Sequence, residues 1–347
     1  MKVDYIIIGS GLAGIAFCEQ LKTHNKTFFV FDNASQQSSL VAGGLYNPVI
    51  LNRFTKVWRS REQLDLALPK YKILEDKLKT TLNYKTKIFR LFHYEKEIKT
   101  WLKASKKPEL SEFLSLDFKT NTNSHIAAPL GFGEVLHTGR IDTKILVSTY
   151  RKKLKQDGLF CSDTFNYNKI QHGEKTVTYN NITAKHIVFA EGYGLIENPF
   201  FNNLPLSGLK GEYITIKAPN LRLNEIIKSS VFIIPLGNDL YRIGATFEKT
   251  EKTNTITEAK KTELINKLSK FITVDFEVVN HTAGIRPTVK DHKPLVGRHK
   301  TYNKYYVLNG LGARGVMIGP YVARSLYQFI ENDTPLNHEI NIKRFEL

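Results

Sequence analysis

The run Val3-Asp4-Tyr5-Ile6-Ile7-Ile8 interrupts apolar side chains with a single acid and reads as a buried strand. From Leu12 the apolar spacing becomes helical and stays so to about Thr23, after which Thr27-Phe28-Phe29-Val30-Phe31-Asp32 returns to a strand. The opening is a βαβ unit. Leu64, Leu68, Tyr71, Leu74 and Leu78 recur at helical intervals within Arg59 to Leu78; Thr86 to Phe92 is strand-like, and Glu95 to Ala104 is helical again. Asp142 stands where an N-cap belongs, ahead of a helix reaching about Gln156.

Thr164 to Lys169 and Lys175 to Tyr179 suggest a hairpin around His172-Gly173, followed by a strand from Ala184 to Ala190. Gly211 to Lys217, Val231 to Pro235 and Leu240 to Phe247 predict an antiparallel sheet, and a helix follows from about Thr257 to Ser269. The chain ends with a strand at Tyr305 to Leu308, a glycine-rich turn and a helix from Val316 to Ile330. No internal repeat interrupts this order. With 347 residues the chain exceeds the usual size of one core, so about two domains are expected.

Hydrophobic residues at 41% and charged residues at 24% exclude a disordered or fibrous chain. No apolar run approaches the roughly 18 residues of a membrane span, and the strand beside Met1 is too short for a signal peptide. The expectation is a cytoplasmic protein without a membrane partner. Cys18 and Cys161 are too far apart in sequence to suggest a metal motif or a disulfide framework, and Cys18 falls on the first helix as a small buried hydrophobe. His292 and His299 flank a turn without carboxylates at ligand spacing, so no metal is expected.

Charge changes the picture. The net charge is +17, and the stretch Lys70 to Lys107 holds twelve basic residues against four acids. Such an excess suits an anionic partner, including nucleic acid, although a lysine-rich solvated surface explains it equally well.

Gly9-Ser10-Gly11-Leu12-Ala13-Gly14 fits G-x-G-x-x-G between a strand and a helix, and Asp32 closes the next strand 18 positions after Gly14. In this pattern the first glycine permits a tight turn, the second admits a pyrophosphate and the third lets helix and strand pack. Helix-terminal amides favour the phosphates, while an aspartate at that spacing accepts from ribose hydroxyls and disfavours a 2′-phosphate. The motif serves NAD and FAD alike.

Later segments make the choice. Ala42-Gly43-Gly44-Leu45, the strand-turn Ile187-Val188-Phe189-Ala190-Glu191-Gly192, the segment Gly284-Ile285-Arg286-Pro287 with Asp291 and Pro294-Leu295-Val296-Gly297, and Gly310-Leu311-Gly312-Ala313-Arg314-Gly315-Val316 with Pro320 resemble the FAD-dependent D-amino-acid oxidase and glycine oxidase superfamily. Glu191 departs from the small residue commoner there. The form G-L-G-x-R-G, Asp291-His292-x-Pro-x-Val-Gly, and Gly43-Gly44-Leu45-Tyr46 leading into Leu51-Asn52-Arg53-Phe54 are more similar to one branch. That branch is the oxidase half of the bifunctional bacterial enzyme that matures carboxymethylaminomethyl-uridine at the tRNA wobble position. Small-molecule glycine oxidases carry R-N-G in the last loop, which aligns their arginine with Ala313.

The resemblance implies an α/β fold in which a Rossmann-like FAD-binding domain (1–80, 140–205 and 280–347) carries an inserted antiparallel-sheet α+β substrate domain (81–139 and 206–279). It implies FAD contacts from Gly9, Gly11, Leu12, Ala13, Gly14 and Asp32, from Gly43, Gly44, Leu45 and Gly192, and from Gly312, Gly315 and Val316. Arg286 is placed to hold a substrate carboxylate, with Arg314 as a second catalytic candidate. The implied chemistry is hydride loss from the carbon between an amine and a carboxylate to the flavin, followed by imine hydrolysis. A tRNA-borne carboxymethylaminomethyl group, a small amine such as glycine, sarcosine or a D-amino acid, and a non-enzymatic flavin-binding role remain three readings. Tyr46, Tyr241 and Arg242 are either near the pocket or simply packed.

Overall fold

The computed structural model describes residues 1–345. Lys2–Ile8 is a strand with its last four residues buried, flanked in parallel by Phe28–Phe31 and Ile182–Phe189. Successive side chains alternate across a strand, so Tyr5 and Ile7 enter the core beneath the helices while Ile6 and Ile8 enter a second core on the other face. Burial on both faces is why this run is almost continuously apolar. Phe160–Cys161 and Tyr305–Asn309 extend the sheet in parallel, and a hairpin (Ile170–His172 with Val177–Tyr179) and Leu295–Arg298 bring it to eight strands.

Leu12–Thr23 follows the first strand directly and packs on the last helix, Gly315–Asn332, which in turn meets Ser60–Leu78. The phenol of Tyr71 locks the last pair by donating to the Val316 carbonyl at 2.8 Å in the interior.

The second sheet also has eight strands, in the order Glu277–Val289, Leu206–Lys217, Leu240–Gly244, Phe232–Gly237, Ile226–Lys228, Ile88–Leu91, Phe132–Val135 and Leu114–Lys119. Its neighbours are antiparallel apart from Ile226–Lys228 beside Ile88–Leu91. Those two strands come from distant stretches of chain, so no hairpin turn dictates their direction. The three strands that the sequence predicts as an antiparallel sheet pair antiparallel, and the single parallel pair lies further along the same sheet. Position 280, the expected division, lies inside the thirteen-residue strand Glu277–Val289, which pairs with Leu206–Lys217 along its length. In the 164–179 hairpin the first strand is Ile170–His172. The Asn166 side chain accepts from the Asn168 amide and turns the chain before the strand starts.

Among the described residues no helix is long and apolar enough to cross a membrane. Helix Thr143–Gln156 begins at Asp142, whose carboxylate accepts from the Ile145 amide and pairs with the buried Arg140 at 3.0 Å. Asp142→Ala therefore removes a cap and strands a buried guanidinium, with an expected loss of about 3 kcal/mol in chemical denaturation. Asp142→Asn keeps the cap and should lose only the ion-pair share.

Candidate active site

The glycine turn after the first strand sits tight against its neighbours. Gly9 has φ of +100°, and a Cβ there would lie 2.4 Å from the Ala190 carbonyl oxygen, while one on Gly14 would lie 1.9 Å from the Gly9 oxygen. This close approach brings the start of Leu12–Thr23 to the wall of a cleft of about 690 Å³. The last helix, Gly315–Asn332, begins on the same cleft, and neither helix has an acidic residue in its first turn. Two helix N-termini thus direct positive dipole ends into one space.

Gly9, Gly11, Leu12, Ala13 and Asp32 line the cleft. Gly14 does not; it lies behind, packing the helix on the turn. Asp32 Oδ2 accepts from the Ser10 amide and hydroxyl, each at 2.6 Å, and from Arg151 at 2.8 Å, while Oδ1 accepts from the Ala34 amide at 2.6 Å. Arg151 comes from helix Thr143–Gln156 and carries no local sequence signal for this role. It neutralises Asp32 and also donates to the Ser10 hydroxyl at 2.7 Å. Ser39, equally unmarked, accepts from the Leu12 amide at 3.1 Å.

The loop Ala42 to Leu45 also borders the cleft, which Gly43, Gly44, Leu45 and Gly192 line. Arg242 anchors this loop by donating to the Ala42 carbonyl at 2.9 Å. Arg242, Tyr46 and Tyr241 are not on the wall. Both tyrosines are buried; Tyr46 donates to Asn83 at 2.9 Å and Tyr241 accepts from the Leu223 amide at 3.2 Å.

Gly312, Arg314, Gly315 and Val316 line the cleft together with Arg286. Arg286 lies on Glu277–Val289 opposite Leu209, one pleat from Gly211. Its guanidinium extends across Gly211, where a Cβ would come within 2.0 Å of Nη2. The Phe247 ring stands 5.1 Å from it, and the buried Nη1 has no hydrogen-bond partner among the described residues. The Gly312 amide donates to the Pro287 carbonyl at 3.0 Å, joining the last loop to the Arg286 strand. Burial holds the Arg314 guanidinium below its ordinary pKa. Among the described residues neither arginine pairs with a carboxylate. Asp291, from the same motif as Arg286, instead turns outward and pairs with Arg344 at 2.8 Å.

Three further lining residues carry charge or polarity that the motifs do not announce. Burial pushes Glu191 up to about 7, against hydrogen bonds from Tyr167 at 2.5 Å and Asn198 at 2.7 Å. Lys228 lines the cleft from the second sheet, and burial, then Arg90 and Lys267, bring it down to about 8. Tyr167 itself lines the wall beside Thr164 and Phe165.

A family model described as FAD dependent oxidoreductase matches residues 4–328. The tRNA 5-methylaminomethyl-2-thiouridine biosynthesis bifunctional protein MnmC of Shewanella sediminis is 24% identical over 202 residues, covering 46% of this chain and 28% of that protein. The match therefore spans little more than a quarter of that bifunctional relative. Glycine oxidase of Bacillus subtilis is 20% identical over 98% of this chain and 95% of its own length. The structure of glycine oxidase from Bacillus cereus superposes with a TM-score of 0.78 at 20% identity, covering 96% of each chain. Iminodiacetate oxidase from Chelativorans sp. BNC1 superposes with a TM-score of 0.77 at 16% identity, covering 97% of this chain and 98% of its own. At these identities the structural likeness establishes the shared fold, and the near-complete family match establishes the rest: the chain belongs to the FAD-dependent oxidoreductase family, whose members include enzymes acting on amine C–N bonds.

Proposed function

We propose that this chain oxidises the C–N bond of a carboxylate-bearing amine, and that the amine is the carboxymethylaminomethyl arm of a tRNA wobble uridine. The observation that carries the proposal is the pair Arg286 and Arg314, two cations on the cleft wall with no carboxylate partner among the described residues. A desolvated guanidinium is costly unless paired, so the site calls for an anionic ligand.

The first sheet and its helices are the FAD-binding part in this reading, and the second sheet faces the substrate. Gly9, Gly11, Leu12, Ala13 and Asp32 would hold the dinucleotide, with Gly14 setting the turn from behind. Gly43, Gly44, Leu45, Gly192, Gly312, Gly315 and Val316 would complete the cofactor wall. FAD, when bound, supplies the two-electron acceptor for the hydride lost by the carbon between amine and carboxylate. The protein's share is positioning. Arg286 grips the carboxylate with its planar fork, Gly211 leaves the room it needs, and Phe247 covers it. Water then cleaves the imine to glyoxylate and an aminomethyl base.

The basic excess and the last-loop pattern favour the tRNA-borne amine. A second reading, a small amine such as glycine or sarcosine, is favoured by the nearly full-length match to glycine oxidase. Deleting the gene distinguishes them: the tRNA reading expects carboxymethylaminomethyl-uridine to accumulate in nucleoside mass spectrometry, and unchanged levels would remove it. Anaerobic bleaching of the flavin by glycine, sarcosine or D-amino acids is the outcome expected of the second reading.

Whichever amine it is, Arg286→Lys should raise KM roughly 10- to 100-fold, because one forked charged contact is replaced by a point charge. Gly211→Ala should raise KM in the same direction with flavin content retained. Steady-state kinetics on the flavin-loaded variants checks both.

Glu191 stands beside the glycine turn, its Cα 3.3 Å from where a Gly9 Cβ would be. Its pKa is raised, so it is neutral below about pH 7 and becomes a buried anion above. Affinity for the anionic dinucleotide should therefore fall as pH rises through about 7. Glu191→Gln should flatten that profile in flavin-binding titrations; an unchanged profile would assign the pH response to another group.

A further inference from the structure

In the basic stretch 70–107, Lys79 and Lys85 are exposed singly, outside any ion pair among the described residues, and the other ten basic residues are of two kinds. Lys72, Lys77, Lys87 and Arg90 are paired with Asp76, Glu19, Glu134 and Glu97. Lys70 donates to Gln20 at 3.1 Å. By contrast Lys96, Lys99, Lys103, Lys106 and Lys107 are all exposed, and no ion pair involves them among the described residues. Helix Glu95–Ser105 buries Trp101, Ala104 and Ser105, so Lys96, Lys99 and Lys103, three to four residues apart, share one outward face about 10 Å long, which Lys106 and Lys107 continue past the helix end. Glu95 and Glu109 stand only at its two ends, and Glu97 is taken by Arg90 at 2.6 Å.

This face leads to the cleft. Tyr94, 72% exposed, is the N-cap residue of the helix. The preceding His93 has its Nε2 2.9 Å from Ser229 Oγ, and the residues on either side of Ser229, Lys228 and Ser230, line the cleft. The row of exposed lysines and the exposed Tyr94 ring are thus joined, through His93 and Ser229, to a segment that lines the cleft.

We propose that the lysine face of Glu95–Ser105, with Tyr94 at its cleft end, docks the phosphate backbone of a single-stranded RNA loop and delivers an unpaired base to the cleft. This rests on the tRNA reading given above and adds the surface that recognises it. The charge row suits a polyanion, and an exposed ring at its inner end offers a stacking platform for a base outside a helix. A lipid surface fits less well, since an interfacial helix turns an apolar face to the membrane and here the apolar face is spent on the core.

The test uses the flavin-loaded chain and a fluorescent 17-nucleotide anticodon stem-loop RNA of about the size of such a loop, titrated at several salt concentrations. Replacing Lys96, Lys99, Lys103 and Lys107 together by Gln should weaken binding at least tenfold and reduce the salt slope by about 3, given a slope near 0.7 per phosphate contact on single strands. Tyr94→Ala should weaken binding roughly tenfold and leave the salt slope unchanged. A control carrying Gln at Lys152, Lys175 and Lys300 should bind as the parent chain does. Unchanged RNA binding by the lysine variant, equal loss in the control, or tighter binding to phosphatidylserine vesicles or polyglutamate than to RNA would each overturn the proposal. Retained oxidation of tRNA-borne amine by the lysine variant at an unaltered KM would overturn the docking surface while leaving the tRNA reading intact. RNA binding through the lysines without turnover of that amine would do the reverse.

Discussion

The backbone at Gly9 passes so close to Ala190 that no side chain fits between them, and Gly14 meets Gly9 just as closely from the helix side. This contact places the start of the first helix over the carboxyl ends of the parallel strands, where unpaired amides concentrate positive potential. The last helix packs against the first and begins on the same wall. Asp32 closes the arrangement by holding the turn through Ser10 and drawing Arg151 in from a third helix. The cleft is a consequence of these close approaches rather than a gap between loosely joined sheets.

On the opposite wall the design is one of deliberate incompleteness. Arg286 is threaded between a missing side chain at Gly211 and the face of Phe247, so its position is set by packing while one of its nitrogens stays without a partner. Other buried cations in the protein meet carboxylates: Lys210 meets Glu212 at 3.4 Å and also pairs with Glu251, and Arg140 meets Asp142, whereas Arg242 has only the Ala42 carbonyl. The contrast matters because an unpaired guanidinium in the interior costs stability that a bound carboxylate would restore. The same logic separates the surface lysines, where carboxylates neutralise some and leave those on one helix face free.

Much of the architecture was legible along the chain. The helix Leu12–Thr23 matches its apolar spacing, Asp142 caps where its position predicts, and the glycine turn lies between the expected strand and helix. These features depend on neighbours within a few residues. The long strand Glu277–Val289 was harder to read, because its outer half is polar and exposed at the sheet edge and its partner lies about seventy residues away. The hairpin start shifted for a similar reason, since a single asparagine contact outweighs the local strand pattern.

By itself the sequence determined that a G-x-G-x-x-G turn joins a strand to a helix, that Asp32 follows the next strand, and that Arg286 and Arg314 belong to segments resembling one flavoprotein family. It did so because turns, caps and alternation are short-range consequences of φ, ψ and side-chain polarity. Only tertiary structure decided that those arginines line one cleft without pairing with a carboxylate among the described residues, that Arg151 neutralises Asp32 from 119 residues away, and that burial raises the Glu191 carboxyl to about 7. Each of these depends on which groups are brought together and which are removed from water, and neither is encoded in any local stretch of chain.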